Sequence, residues 1–151
     1  MSSKIIQDKK NIYRVIDANL NRAREGLRVC EDVARFILQD EKAAALFKKT
    51  RQKIFLIIKK SNISYYELLA KRDSLQDVGK TSTKSEKKRQ NWQSVFEANI
   101  ERVKESLRVL EEMIKILDEQ LPDKFKKIRF LVYEFEKKII TKFRHLSDYK
   151  H

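Results

Sequence analysis

Two segments of the chain carry the same polar and charged residues in the same order. Asn19, Arg22, Glu25, Arg28 and Glu31 in the first recur as Asn99, Arg102, Glu105, Arg108 and Glu111 in the second. An amide and a guanidinium held together make a pocket for an anion or a small polar ligand. Carboxylates nearby offer a place for a metal ion. Between the two segments Arg72, Asp73, Asp77 and Lys80 alternate in charge around Gly79, a pattern that suits a lid over phosphate. No GxxxxGK[ST] or GxGxxG loop occurs, nor HExxH, and the two histidines, His145 and His151, stand at the tail. No Ser-His-Asp set can be assembled. Any catalysis would rest on Arg, Lys, Asp, Glu and Asn, with or without a metal held by carboxylates.

The elements that must position these residues are helices. The matched stretches are Arg14–Val33 and Ser94–Met113, and each is followed by a second match, FKKTR at Phe47–Arg51 and FKKIR at Phe125–Arg129. The chain reads as a tandem repeat of a helical hairpin. Apolar spacing predicts helices over about 9–39, 42–60, 85–119 and 122–147, with Pro122 in the first turn of the last. The expectation is an all-α bundle of four main helices, its two hairpin repeats related by a pseudo-twofold axis. One domain covers 1–151, with repeat one at about 9–60, a connecting segment at about 61–86 and repeat two at about 87–147. Asn62–Lys71 reads as a short helix and Arg72–Ser85 as a long polar loop, either functional or disordered.

At about 100° per residue, Asn19, Arg22 and Gly26 fall beside Val15, Ala23, Cys30, Val33 and Ile37. Asn99, Arg102 and Ser106 fall beside Val95, Val103, Leu110, Met113 and Leu117 in the same way. Each core-facing stripe is therefore expected to carry an amide and a guanidinium, which need partners if buried. Two outcomes fit: Asn19 bonds Asn99 across the pseudo-twofold axis while Arg22 pairs with a Glu of the other unit, or a ligand occupies the centre. Glu25, Arg28 and Glu31 lie on the flank and back of the helix, as do Glu105, Arg108 and Glu111. Their i,i+3 spacing permits ion pairs on a solvated face. Their recurrence equally suits a ligand or a second subunit. Gly26 suits close approach of a backbone or a ligand. Cys30 reads as a small buried residue.

Composition narrows the class. Two Gly and one Pro in 151 residues leave few helix breakers. The single cysteine excludes an intrachain disulfide and any Cys-rich zinc site, and fits a reducing cytoplasm. The start is polar and charged, with no apolar signal-peptide region. The longest apolar run, Ile54–Ile58, falls far short of the roughly 20 residues that span a bilayer. The net charge of +13 is either a solvated lysine-rich surface or a means of attracting a polyanion or a phosphorylated ligand.

DANLNRAREGLRVCED at Asp17–Asp32 resembles the signature of a helical hydroxymethylpyrimidine phosphate kinase family, unrelated in sequence to ribokinase-like enzymes and found at the N-terminus of some bacterial thiamine phosphate synthases. The likeness continues through RDSLQDVGK at Arg72–Lys80, EANIERVKESLRVLEE at Glu97–Glu112 and FKKIRFLVYEFE at Phe125–Glu136. Lys80 departs from the Thr often found there. The resemblance implies ATP-dependent phosphorylation of 4-amino-5-hydroxymethyl-2-methylpyrimidine phosphate to the pyrophosphate, in thiamine synthesis, by a domain standing alone without the barrel that couples pyrimidine to thiazole. Phosphoryl transfer needs positioning and charge neutralisation more than a covalent group. On that reading Arg28, Arg108, Arg72 and Asp73 are the catalytic candidates. Asn19, Arg22, Asn99, Arg102, Lys80 and Asp77 bind substrate, the asparagines reading the aminopyrimidine edge. Glu25, Glu31, Glu105 and Glu111 hold Mg²⁺, with ATP as the phosphoryl donor. Expected partners are the pyrimidine phosphate, ATP, thiamine phosphate synthase and a second copy in a homodimer, with no membrane.

Two other classes compete. A helical module could hold a pyrimidine phosphate or a pathway partner without catalysis. A basic helical domain could bind nucleic acid, but no reading motif or stacking platform supports it.

Overall fold

The computed structural model describes residues 3–80 and 88–148, excluding the side chains of residues 147 and 148. Among the described residues all regular structure is helical: α1 (Ser3–Asp32) running into a π-turn (Val33–Ile37), α2 (Glu41–Lys59), α3 (Tyr65–Ala70), α4 (Trp92–Ile114) and α5 (Leu121–Asp148). Among the described residues no helix is long and apolar enough to cross a membrane.

The ends of the helices follow from side chains that satisfy free backbone N–H groups. Asp40 caps α2 by accepting from the Ala43 N–H at 3.0 Å, and Ser64 caps α3 from the Glu67 N–H at 3.3 Å. Asn91 and Ser94 form a reciprocal capping box at the start of α4. That box begins the helix at Trp92, later than the expected start; positions 85–87 of that expectation lie outside the described residues. Past Ile114 the chain turns, and Asp118 Oδ1 accepts from the Gln120 and Leu121 N–H groups, so α4 ends short of the expected 119. The first helix begins earlier than expected, at Ser3, because nothing in its first turns breaks it. It also fails to reach 39 as a regular α-helix. Its last turn widens so that the Leu38 N–H donates to Val33 O and the Asp40 N–H to Ala34 O, and Gln39 takes a left-handed φ of 52° to reverse the chain.

The core forms where α1 packs on α4, with α2 laid on α1 and α5 on α4; α2 and α5 touch along a shorter seam. Ile16, Ala23, Leu27 and Cys30 of α1 face Ile100, Val103, Leu107 and Leu110 of α4, all removed from water. Phe47 of α2 sits edge-on to Phe96 of α4 and Phe135 of α5, with ring centroids 6.1 and 5.6 Å apart. Cutting such a ring to Ala costs about 3–5 kcal/mol, from lost transfer energy and the cavity left behind.

Two side-chain arrangements recur between the halves. Asn19 Nδ2 donates to Val15 O at 2.8 Å, and Asn99 Nδ2 donates to Val95 O at the same distance. Each amide thus bonds its own helix, not the other asparagine. Glu31 accepts from Arg51 at 3.2 Å, while Glu111 takes Arg129 through two bonds of 2.5 and 3.0 Å. The repeated Glu and the repeated Arg of the FKK-x-R match are therefore the ion pair that ties the two helices of each hairpin. Both carboxylates are buried, where a lone charge would be costly.

Candidate functional site

Two hollows of about 670 Å³ open on the surface. One follows the α2–α5 seam, with Leu46, Phe47, Phe135 and Ile139 on its floor and Lys42, Lys137, Lys138 and Lys142 at its rim. It holds none of the residues singled out by type and spacing. The other lies between α1 and the loop that follows α3. Asn19, Arg22 and Glu25 enter it from α1, and Arg72, Asp73 and Asp77 from the loop. Because polar groups from distant parts of the chain converge there, this cleft is the candidate site. Its volume suits a small molecule, since such pockets run at about 300–1,000 Å³.

The α1 face of the cleft is a helical stripe beside the core stripe. Asn11, Val15, Ala18, Arg22 and Glu25 follow one another at steps of three or four. This corrects the expected orientation. Asn19 is buried, but Arg22 is exposed, because it stands one residue, about 100° of rotation, away from the fully buried Ala23. Arg102 is exposed in the same way, and Ile37, expected in the core, is exposed beyond the π-turn. Among the described residues neither Arg22 nor Arg102 pairs with a Glu of the other half.

The loop side is held by a bond that sequence reading missed. Asp17 is 4 % exposed on α1, within the stripe Tyr13, Ile16 and Leu20. Its two oxygens accept from Arg72 Nε and Nη2 at 2.7 and 2.8 Å. This side-chain bond pushes the Arg72 guanidinium still further from losing its proton. Arg14 Nη2 adds a longer bond of 3.5 Å to Asp73 O. Arg14, Asn11 and Asn21 also line the cleft and were likewise missed. The signal available was an acidic residue, Asp17, at helical spacing inside an apolar stripe. Such a group requires a cationic partner from elsewhere.

Within the loop, Asp73 Oδ1 accepts from the Gln76 N–H at 3.2 Å, and Asp77 Oδ1 from the Gly79 N–H at 2.8 Å. Their second oxygens have no partner among the described residues. Lys80 Nζ donates to Leu75 O at 2.8 Å and stays outside the cleft lining. The cleft sets Arg14, Arg22 and Arg72 against Asp17, Glu25, Asp73 and Asp77. It is thus near electrical balance in a chain of net charge +13. It has no stripe of unpaired bases to track a polyanion.

The remaining candidates lie elsewhere. Arg28 is turned to Glu31 and Asp32 of its own helix, at 3.2 and 3.7 Å. Arg108 pairs with Glu112 at 2.7 Å. Asn99, Arg102, Glu105 and Arg108 on α4 do not line the cleft. Glu31 and Glu111 face the arginines of their hairpins. Among the described residues no group of three or more His, Cys, Asp or Glu is gathered for a metal ion. The four glutamates proposed as a magnesium set are therefore not brought together. Cys30 is buried, and burial followed by the nearby Glu136 carboxylate raises its thiol well above the usual range. It is inert packing.

What fold and cleft define, among the described residues, is an all-helical fold with a mixed-charge, small-molecule-sized hollow on the flank of its first helix. The chain belongs to the ThiD2 family, whose model matches residues 14–138. It is 38% identical over 140 residues to a thiamine-phosphate synthase of Nostoc punctiforme, covering 92% of this chain and 38% of that protein. It is 39% identical over 126 residues to one of Prochlorococcus marinus, covering 83% and 34%. It is 35% identical over 127 residues to one of Rhodopirellula baltica, covering 83% and 33%. The chain therefore spans little more than a third of the length of these curated relatives. No solved structure matches it.

Proposed function

We propose that this chain is a kinase of thiamine synthesis that moves a phosphoryl group from ATP to 4-amino-5-hydroxymethyl-2-methylpyrimidine phosphate in the α1–loop cleft. The observation that carries the reading is the meeting of Asn19, Arg22 and Glu25 with Asp73 and Asp77 in one hollow, from segments far apart in sequence. The name of the relatives, thiamine-phosphate synthase, supports the pathway. The nature of the cleft supports a small charged substrate over a polymer.

In this reading Arg22, which has no partner among the described residues, takes a phosphate of the ligand at the cleft mouth. Asn19 Nδ2 is spent on its helix, so its Oδ1 is the acceptor left for an exocyclic amine. Magnesium is bound by hard oxygen donors, commonly one or two carboxylates plus the phosphates of the substrate. Since no three carboxylates gather for a metal among the described residues, the ion would be held by one or two of Glu25, Asp73 and Asp77 together with the phosphates of the substrate. Bound there, the ion would offset charge building on the transferring phosphoryl group. A second candidate for phosphate contact is Arg14, held only through a carbonyl oxygen of the loop, whereas Lys80 stands outside the cleft lining. Arg28 and Arg108 drop out of the clamp because same-helix carboxylates already take them.

A coupled assay for ADP with ATP, Mg²⁺ and the pyrimidine phosphate tests the proposal. ADP release that depends on the pyrimidine phosphate is expected. Tight binding of the pyrimidine phosphate by calorimetry with no ADP release would overturn the kinase and leave a binding module.

A further inference from the structure

Residues 72–80 lie across the cleft from α1 with few ties to it. Apart from the backbone bond from Arg72 to Leu69, three hydrogen bonds connect them to the rest of the described chain. These are the pair between Arg72 and Asp17 and the long bond from Arg14. The other bonds of the loop are internal. Its apolar side chains do not anchor it either, since Leu75 is 83% and Val78 103% exposed. Yet this loop delivers Asp73 and Asp77 to the cleft. One buried carboxylate on α1 therefore holds a whole wall of the site.

We infer that Asp17 is a positioning residue: by capturing Arg72 at two points it fixes the 72–80 loop against α1, and Arg72 serves as a strut instead of a phosphate clamp. This deepens the kinase reading and rests on it for its activity arm. The bonding geometry favours it. Both Asp17 oxygens face Arg72, and the fork-to-fork pairing fixes direction as well as distance, which a lysine could not do. The pairing takes two of the five N–H donors of Arg72 and fixes the plane of its guanidinium. Asp17 also comes from the buried stripe of α1, so the strut is grounded on a packed helix of the core.

The experiment compares Asp17→Asn, Arg72→Gln and the double variant in the full chain. Hydrogen exchange over 72–80 is one readout, and kcat/KM with ATP and the pyrimidine phosphate is the other. Each single change is expected to raise exchange in 72–80 while α4 stays protected. Each should lower kcat/KM by about 10- to 100-fold, as misplaced site groups do. The double variant should be no worse than either single one, because the two residues act as one unit. Arg72→Lys should not rescue. Unchanged exchange over 72–80 in Asp17→Asn overturns the inference. So do activity losses that multiply in the double variant, which would mean that Arg72 touches the ligand directly. If the unaltered protein transfers no phosphoryl group, the kinase reading fails, and the exchange data alone still decide the strut.

Discussion

Replacing Gly26 with Ala sets two physical effects of opposite sign against each other. Gly26 lies in the middle of α1, and helix propensity alone says that Ala there stabilises by about 1 kcal/mol. The neighbouring helix says otherwise. A Cβ at position 26 would stand 2.7 Å from Val103 Cγ2 and 3.0 Å from the Asn99 carbonyl oxygen. Val103 is fully buried, and its branched side chain has essentially one rotamer in a helix, so it cannot swing aside. The carbonyl is backbone and can move only with α4. Relief requires α1 and α4 to separate by tenths of an ångström along the main core contact, and overpacking of this kind costs about 1–3 kcal/mol. The net expectation is a loss of about 1 kcal/mol, seen as a Tm lower by about 2–4 °C in a chain of this size. Thermal melting by circular dichroism measures it. A second arm fixes the cause. Val103→Ala alone costs about 2 kcal/mol through its cavity. In the double variant the added methyl occupies part of that space, so the loss is smaller than the sum of the two. A Tm that rises in Gly26→Ala, or strict additivity with Val103→Ala, would refute the close approach of the two helices.

Other outcomes follow from single contacts. Arg22→Ala should lower kcat/KM by about tenfold or more while leaving urea stability within about 0.5 kcal/mol, since the side chain is exposed and has no partner among the described residues; a stability loss without a kinetic one would contradict its role. Glu111→Ala should cost about 3 kcal/mol in urea unfolding, because Arg129 is left largely buried without its carboxylate, and the Mg²⁺ dependence of activity should not change. Lys104 loses to burial but gains more from its bonds to Glu101 and Glu136, so its pKa lies above the ordinary 10.5 in the folded chain. Its contribution to stability is whole below that value and is lost as pH rises through the folded pKa, so Lys104→Met should flatten the fall of stability at alkaline pH. Cys30 should resist thiol reagents in the native chain and react fully once denatured, as a spectrophotometric titration would show.

Much of the architecture was legible in the chain itself. The apolar period, the scarcity of Gly and Pro, and the duplicated segments require helices, and the helices lie close to where the spacing put them. Local chemistry also set several ends, as Asp40, Ser64 and Asn91 show, because a cap involves only residues within one turn. Five residues singled out by type and spacing, Asn19, Arg22, Glu25, Asp73 and Asp77, line one hollow in the fold.

What the sequence could not say was which charge meets which. Glu31 and Glu111 looked like metal ligands and are hairpin ties, because Arg51 and Arg129 arrive from the partner helix. Arg28 and Arg108 looked like phosphate clamps and are taken by carboxylates one turn away. Asp17 was passed over and anchors the loop. A helical pattern fixes the angle of each residue around its own axis to within one step, yet one step separates buried Ala23 from exposed Arg22. Pairing depends on how two axes are set against each other. Ion pairs act over a few ångströms, and only the packed arrangement of α1 with its hairpin mate and the 72–80 loop determines which oppositely charged groups come within that range.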